Sequence, residues 1–271
     1  MTMVQAVETT MPLTRSRAKP DAGMESKTII EFSSVDKAFG DNVVYRDMSL
    51  EIHEGETITI IGGSGTGKSV MLKMLMGLMS TDAGQILFRE NDIAAMTEVD
   101  LIAVRRQISM LFQGAALFDS MNVGDNIAYP LREHLNLPED EIAHRVEHNL
   151  KMVGLPGIEE MMPSELSGGM KKRIGLARAI AIEPEIILYD EPTTGLDPSN
   201  TRRINELIVE MQHKLGVTSI VVTHDMASAF FVSNRIAMLW DHKIHSVQTV
   251  QEIQSAGDPM IRSFVEGTLE I

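Results

Sequence analysis

The residues from Gly62 to Ser69 read GGSGTGKS and fit the pattern G-x-x-x-x-G-K-[ST]. They follow the apolar run from Thr57 to Ile61 and precede a helical pattern, which is the strand, loop, helix context that a phosphate-binding loop requires. Glycines let successive backbone N–H groups turn inward around phosphate oxygens, at the positive end of the following helix. The residues predicted to contact a bound nucleotide here are Gly62, Gly63, Ser64, Gly65, Thr66, Gly67, Lys68, Ser69 and Val70.

Two side chains of this loop carry the predicted chemistry. Lys68 is expected to reach the β- and γ-phosphates of ATP and to act in catalysis. Ser69 is expected to place its hydroxyl on Mg²⁺, a cation that prefers oxygen ligands. The alternative is a glycine-rich turn with a solvated lysine, but the flanking strand and helix disfavour it.

A second apolar run, from Ile186 to Tyr189, ends in the adjacent carboxylates Asp190 and Glu191. Neighbouring side chains on a strand point to different faces, so the two acids are predicted to have different roles. We assign Asp190 to the Mg²⁺ shell, which it is expected to reach through a water molecule, and Glu191 to polarising the attacking water. Without the phosphate loop, a pair of solvated acids at a strand end would be the better interpretation.

The elements that position these residues follow from the hydrophobic pattern. Short β-branched runs at Thr28–Val35 and Val43–Ile52, separated by a turn, predict an antiparallel edge sheet. Buried runs separated by helical stretches predict an α/β fold whose parallel sheet is covered on both faces. These runs are Thr57–Ile61, Ile108–Phe112, Ile186–Tyr189 and Ser219–Val222. The last stretch predicts two strands over 234–248 and a helical finish over 250–269.

Domain boundaries are predicted from the same pattern. Residues 28–120 and 184–271 are expected to form an ATP-binding core in two parts, the second ending in a C-terminal helix. Residues 121–183 carry almost no strand signal and predict a helical insert. Residues 1–27 are predicted to form a flexible tail. One interpretation is that the start codon is assigned too early and that Met24 is the true start. The other is that this segment tethers a partner protein.

The segment Leu166 to Met170, LSGGM, opens a cation-rich helix, with Ser167 at the cap position. It resembles the LSGGQ signature of ABC-type ATPases, with Met170 in place of the usual Gln. Four more positions match that family in order: Phe39 the adenine-stacking aromatic, Gln113 the Q-loop, Asp197 the D-loop and His224 the switch histidine. Phe39 is matched by position alone, and Tyr45 lies close to it. The resemblance covers residues 28–237.

The resemblance implies a P-loop NTPase (ABC ATPase) fold with a RecA-like parallel-sheet core, an N-terminal antiparallel β subdomain and a helical insert. It also implies ATP hydrolysis in a head-to-tail homodimer, in which each phosphate loop faces the partner's signature. Its catalytic set is Glu191, His224 and Lys68, and its metal set is Ser69, Gln113 and Asp190. The further nucleotide-binding residues are Phe39, Gln113, Ser167, Gly168, Gly169 and Asp197.

A closer similarity lies in MLFQGAALFDSMNVGDNIAYPLRE, which begins at Met110, and in MMPSELSGGM, which begins at Met161. These segments are similar to ATPase subunits of lipid transporters in Gram-negative envelopes, which maintain lipid asymmetry between the inner and outer membranes. That similarity implies three partners: a membrane permease, a cytoplasmic STAS-domain protein and a periplasmic MCE-domain lipid-binding protein. It also places the chain peripherally on the cytoplasmic face of the inner membrane. An importer ATPase for another small solute and a soluble ABC ATPase without a permease stay open as alternatives.

Composition narrows the function classes. The net charge of −14 argues against a surface that holds nucleic acid, because that mode depends on clustered Lys and Arg. The absence of cysteine excludes disulfides, thiolate zinc sites and Cys nucleophiles. No apolar run approaches the roughly 18 to 20 residues of a membrane helix, so any membrane role is expected to be peripheral.

Overall fold

The computed structural model of the protein describes residues 27–256 and 258–265. The predicted tail of residues 1–27 therefore lies outside the described residues, apart from Lys27. The strands are β1 (Thr28–Phe39), β2 (Asn42–His53), β3 (Thr57–Ile61), β4 (Ala83–Phe88), β5 (Asn91–Asp92), β6 (Ile108–Leu111), β7 (Ile186–Asp190), β8 (Thr218–Val222), β9 (Arg235–Trp240) and β10 (Lys243–Thr249). The α-helices are α1 (Lys68–Leu75), α2 (Glu98–Gln107), α3 (Val123–His134), α4 (Glu139–Met152), α5 (Gly168–Ile180), α6 (Pro198–Leu215), α7 (Met226–Val232), α8 (Val250–Ala256) and α9 (Pro259–Val265).

A four-stranded antiparallel sheet has the order β2-β1-β4-β5. β1 and β2 form the hairpin that the sequence predicts, with Phe39 opposite Asn42 across a tight turn. The other edge of β1 pairs with β4, where Ile30 lies opposite Phe88. The sequence analysis did not predict β4 and β5. β4 begins with exposed residues and β5 has two residues, so neither carries a strong hydrophobic period.

The central sheet has six strands in the order β10-β9-β3-β8-β7-β6. The strands from β9 to β6 run parallel, and β10 pairs antiparallel with β9. The carboxyl ends of β3, β6, β7 and β8 therefore lie at one edge of the sheet. That edge is where ligands bind in open α/β sheets, because the loops that leave it converge there.

Both faces of the central sheet are covered, as the fold prediction requires. Along β7, Ile186 and Leu188 join an apolar core that also contains α1 residues and the antiparallel sheet. Ile187 and Tyr189 point the other way, into a core shared with α3, α4, α5 and α6. Alternation along one buried strand thus separates two packing environments, and the α/β prediction is confirmed.

Three α-helices, α3, α4 and α5, lie between β6 and β7, and no strand occurs in this fully described stretch. Asn122 caps α3 by accepting a hydrogen bond from the Asp125 N–H. The division of the chain at residues 121 and 183 stays a prediction. At the carboxyl end, β9 and β10 are followed by two short helices, α8 and α9. No helix in the described ranges is long and apolar enough to cross a bilayer.

Candidate active site

The phosphate loop leaves the carboxyl end of β3 and ends at Gly67, the residue before α1. Gly67 has φ +102°, in the region that favours glycine. A Cβ on Gly67 would lie 2.3 Å from Cγ1 of Val44, so a larger residue does not fit. The Tyr45 hydroxyl donates a hydrogen bond to the Gly67 carbonyl. The antiparallel sheet therefore packs against the phosphate loop through Val44 and Tyr45 of β2.

Lys68 is buried and lies back along its own loop. Its Nζ donates to the carbonyl oxygens of Gly62 at 2.9 Å and Gly63 at 2.7 Å. Burial lowers the pKa of Lys68, while the nearby charges of Glu191 and Asp190 oppose that shift. The ammonium group is thus held by neutral carbonyls, which an anionic phosphate oxygen can outcompete.

Ser69 and Asp190 are in contact, although β8 lies between β7 and β3, the strand that leads into the phosphate loop. Asp190 ends β7 on the same face as Ile186 and Leu188, which is the side of α1. Ser69, in the first turn of α1, donates its hydroxyl to Asp190 Oδ1 at 2.7 Å. The Ser69 hydroxyl and the Asp190 carboxylate are oxygen donors of the kind that Mg²⁺ prefers, and they lie side by side at the start of α1. The residues present therefore fit a magnesium ion.

Glu191 follows β7 with φ +47°, an uncommon conformation for a residue with a side chain. Its N–H donates to the Val222 carbonyl at 2.9 Å, which ties it to β8. Its Oε1 lies 2.9 Å from Nδ1 of His224, and its Oε2 accepts from the Thr194 hydroxyl at 2.9 Å and from the Thr223 hydroxyl at 3.4 Å. The structure thus brings two predicted catalytic residues, Glu191 and His224, into direct contact.

Three residues of this cluster were missed by the sequence analysis. Thr194 and Thr223 hold the Glu191 carboxylate, and Lys172 donates to the Glu191 carbonyl at 3.0 Å. Thr223 could have been found, because it precedes His224 at the end of a buried strand. Lys172 had a weaker signal, since a lysine near a helix start is usually solvated.

Two predicted ligands lie at the surface. Gln113 is exposed after β6 and, among the described residues, is not hydrogen-bonded to Ser69 or Asp190. Phe39 is 47 % exposed, and Lys37 Nζ lies 5.3 Å from its ring centroid. Tyr45 is buried beneath the loop, so its ring offers no face for an adenine. The choice between Phe39 and Tyr45 as the stacking residue therefore favours Phe39.

The signature segment forms the start of α5. Ser167 is exposed, and its Oγ accepts a hydrogen bond from the Met170 N–H at 3.3 Å. A Cβ on Gly169 would lie 2.3 Å from Asn200 Oδ1, so this glycine allows α5 to approach the start of α6. Met170 packs, partly buried, against the helical core. Gly168 is exposed, which leaves the helix start open on the surface.

Asp197 caps α6. Its Oδ1 accepts from the N–H groups of Ser199 and Asn200, both at 3.0 Å, and its Oδ2 accepts from Asn200 Nδ2 at 2.6 Å. These hydrogen bonds, led by the one from the Asn200 side chain, hold the pKa of Asp197 below its ordinary value. Within the described chain, no hydrogen bond joins Asp197 or Ser167 to the carboxylate of Glu191.

The family comparison agrees with this geometry. The protein-family model described as ABC transporter matches residues 45–194. The intermembrane phospholipid transport system ATP-binding protein MlaF of Escherichia coli (strain K12) is 41% identical over 239 residues, covering 88% of this chain and 89% of MlaF. The probable ribonucleotide transport ATP-binding protein mkl of Mycobacterium leprae is 40% identical over 247 residues, covering 91% of this chain and 71% of mkl.

Solved structures show the same fold. The ATP-binding cassette MJ0796, in a dimeric post-hydrolysis state bound to ADP and Pi, aligns with a TM-score of 0.75 and 30% identity, over 82% of this chain and 98% of that one. CbiO1 of Clostridium perfringens, part of the ABC transporter complex cbiONQ, aligns with a TM-score of 0.78 and 28% identity, over 88% of this chain and 95% of that one. The chain therefore belongs to the ABC transporter family and is an ATP-hydrolysing, ATP-binding subunit of the kind that such transporters use.

Proposed function

We propose that two copies of this chain hydrolyse ATP in a head-to-tail dimer and thereby drive phospholipid transport between the inner and outer membranes of a Gram-negative cell. The observation that carries the lipid assignment is the 41% identity to MlaF along 88% of the chain. The lipid-transporter similarity of the segments that begin at Met110 and Met161 supports the same assignment.

The phosphate loop and the two carboxylates supply the chemistry of hydrolysis. Lys68 exchanges the carbonyl oxygens of Gly62 and Gly63 for phosphate oxygens. Ser69 and Asp190 would hold Mg²⁺, whose charge would offset that of the phosphate oxygens. Gln113, exposed at the same edge of the sheet, is proposed to complete that set on closure. Glu191 orients and polarises the attacking water.

The network around Glu191 supports its role as the base. Thr194 and His224 bind its two carboxylate oxygens, at 2.9 Å in both cases, so the acid is held in one orientation before substrate arrives. A base held in this way loses little entropy when the water is positioned. His224 is proposed to align the attacking water with the γ-phosphate. Its ring is mostly exposed and lies beside the Glu191 carboxylate, where it can contact both.

The open start of α5 supports the dimer. Ser167 and Gly168 are exposed, and the N–H groups of a helix start attract phosphate oxygens. We propose that they and Gly169 face the γ-phosphate bound by the partner, with Asp197 at the same interface. The dimeric structure of MJ0796 with ADP and Pi supports this arrangement.

The partners and location follow from the lipid assignment. We propose an MlaE-like membrane permease, an MlaB-like STAS-domain protein and an MlaD-like periplasmic MCE-domain protein, with this chain on the cytoplasmic face of the inner membrane. The name of mkl, a probable ribonucleotide transport protein, favours a second candidate, an ATPase for another solute. The acidic net charge of −14 disfavours a nucleic-acid role.

The test is purification of the chain with its partners from the native membrane. We expect co-purification of a permease, a STAS-domain protein and phospholipid, with magnesium-dependent ATP hydrolysis that Glu191→Gln abolishes. Glu191→Gln should still bind ATP and accumulate as a closed dimer, measured by light scattering with ATP. Normal hydrolysis by Glu191→Gln would refute the base assignment. A solute-binding protein in place of the MCE-domain protein would refute the lipid assignment.

A further inference from the structure

A buried lysine joins the signature helix to the catalytic turn. Lys172 lies in the second turn of α5 and is 5 % exposed. Its Nζ donates a hydrogen bond to the carbonyl oxygen of Glu191 at 3.0 Å. A lysine is rarely buried to this extent without a charged or hydrogen-bonding partner, because desolvation of the ammonium is unfavourable. The hydrogen bond to the Glu191 carbonyl therefore offsets part of the desolvation cost of burying Lys172.

The bond acts on a backbone position that is already under strain. Glu191 has φ +47°, and such a conformation in a residue with a side chain persists only where the surroundings enforce it. The Glu191 N–H is held by the Val222 carbonyl, and the Glu191 carbonyl accepts from both Lys172 Nζ and the Thr194 N–H. Of these hydrogen bonds, the one from Lys172 connects the Glu191 backbone to α5.

Sheet geometry explains why the contact comes from that side. Asp190 points toward α1, where Ser69 receives it. The core on the opposite face of β7 is the one shared with α5, and Lys172 lies there. The two adjacent acids are therefore flanked by two buried lysines, Lys68 near the phosphate loop and Lys172 near the signature helix.

The two lysines are expected to have different hydrogen-bond partners when ATP binds. Lys68 is committed to the phosphates, whereas Lys172 is bound to a backbone carbonyl and stays with the turn. The positive charge of Lys172 therefore stays beside Asp190 and Glu191 when the negatively charged triphosphate is bound.

We propose that Lys172 is a positioning residue for hydrolysis, which holds the Glu191 turn from α5 and so connects the catalytic base of one ATP site to the helix that presents Ser167 to the other. The inference rests on the proposed role of Glu191 and on the head-to-tail dimer. Ser167 caps the same helix that carries Lys172. A shift of α5 at one nucleotide would therefore be transmitted to the base at the second nucleotide.

The test compares Lys172→Met, Lys172→Arg and the neighbouring control Lys171→Met in the full chain, purified with its membrane partners. Met has a similar length but neither charge nor donor, whereas Arg keeps both. We expect Lys172→Met to lower kcat by about tenfold to a hundredfold, the loss that follows small misplacements of catalytic groups. The KM for ATP should stay within about twofold, because the phosphate loop is untouched.

Two further readouts separate positioning from general destabilisation. Lys172→Arg should recover about a third or more of the wild-type kcat, and Lys171→Met should match the wild type within about twofold. The Hill coefficient for ATP should fall in Lys172→Met, because the connection between the two sites is lost. If Lys172→Met does not fold, Lys172→Gln takes its place; its amide reaches about one bond less far and should lower kcat by about threefold or more at constant KM.

The proposal is overturned if the folded variant keeps the wild-type kcat, if KM rises as much as kcat falls, or if Lys172→Arg fails to restore activity. Glu191→Gln is assayed in parallel. Normal hydrolysis by Glu191→Gln means that the role of Glu191 itself is wrong. An inactive Glu191→Gln beside a fully active Lys172→Met means that only the inference about Lys172 is wrong.

Discussion

Replacing Tyr45 by Phe removes one oxygen atom from beneath the phosphate loop. The Tyr45 side chain is buried, and its hydroxyl donates to the Gly67 carbonyl. That carbonyl also accepts the N–H groups of Val70 at 2.7 Å and Met71 at 3.2 Å, so Tyr45→Phe leaves it hydrogen-bonded. The expected loss is therefore a single net hydrogen bond, about 1 kcal/mol, without the added cost of an orphaned carbonyl.

The same energy sets the effect on ATP binding. Without the Tyr45 hydroxyl, the free loop can leave the conformation that Gly67 adopts at φ +102°, and ATP must restore it. The loss of ATP-binding free energy is therefore at most about 1 kcal/mol, which corresponds to an increase in Kd of about fivefold. The melting temperature without nucleotide should fall by about 2–4 °C.

The assay is titration of a fluorescent ATP analogue together with thermal unfolding, and the control is Tyr129→Phe. Tyr129 is 39% exposed, so its hydroxyl is already solvated and its loss should change stability by less than about 0.5 kcal/mol. Equal effects of the two substitutions would refute the reasoning, because the buried contact to Gly67 would then have no special role. A loss of affinity far above about tenfold would also refute it, since one hydrogen bond cannot supply that energy.

Two further predictions test the composite site and the loop after Gln113. In mixed dimers, Ser167→Ala on one chain with Lys68→Ala on the other should keep one working site, whereas both substitutions on one chain should abolish hydrolysis; the reverse pattern would mean that Ser167 serves its own site. Asn126→Ala should destabilise the chain by about 3 kcal/mol, because several buried backbone groups lose partners at once. The Asn126 amide is fully buried, with Oδ1 accepting from the Phe118 N–H at 2.8 Å and Nδ2 donating to the Phe118 and Met121 carbonyls, both at 3.1 Å. Denaturant unfolding measures this change, and a loss below about 1 kcal/mol would contradict it.

The strands that frame the site could be predicted because each is a short apolar run with a clear end. Thr57–Ile61 was predicted with its observed bounds, and Ile186–Tyr189 falls one residue short of β7. The segment from Ala83 to Gln107 was not predicted, because its strands are short or partly exposed and α2 is weakly amphipathic. Local pattern is informative only where burial is strong and continuous.

The phosphate loop, the paired acids and the signature segment could be identified from the sequence alone, although Thr194, Thr223 and Lys172 were not. A phosphate loop is a strand, a turn and a helix start in direct succession, so Gly67, Lys68 and Ser69 identify it without any knowledge of distant contacts. The paired acids at the end of an apolar run, and the signature before them, are likewise contiguous. Residue types that are adjacent in the chain fix the chemistry that they can perform together.

Tertiary structure alone decided which side chains surround Glu191. Glu191 meets His224, which is 33 residues away, because β7 and β8 are neighbours in the sheet. It meets Lys172, which is 19 residues earlier, because α5 packs on the opposite face from α1. Strand order and the choice of face depend on the burial of whole elements against one another, and no short stretch of sequence contains that information.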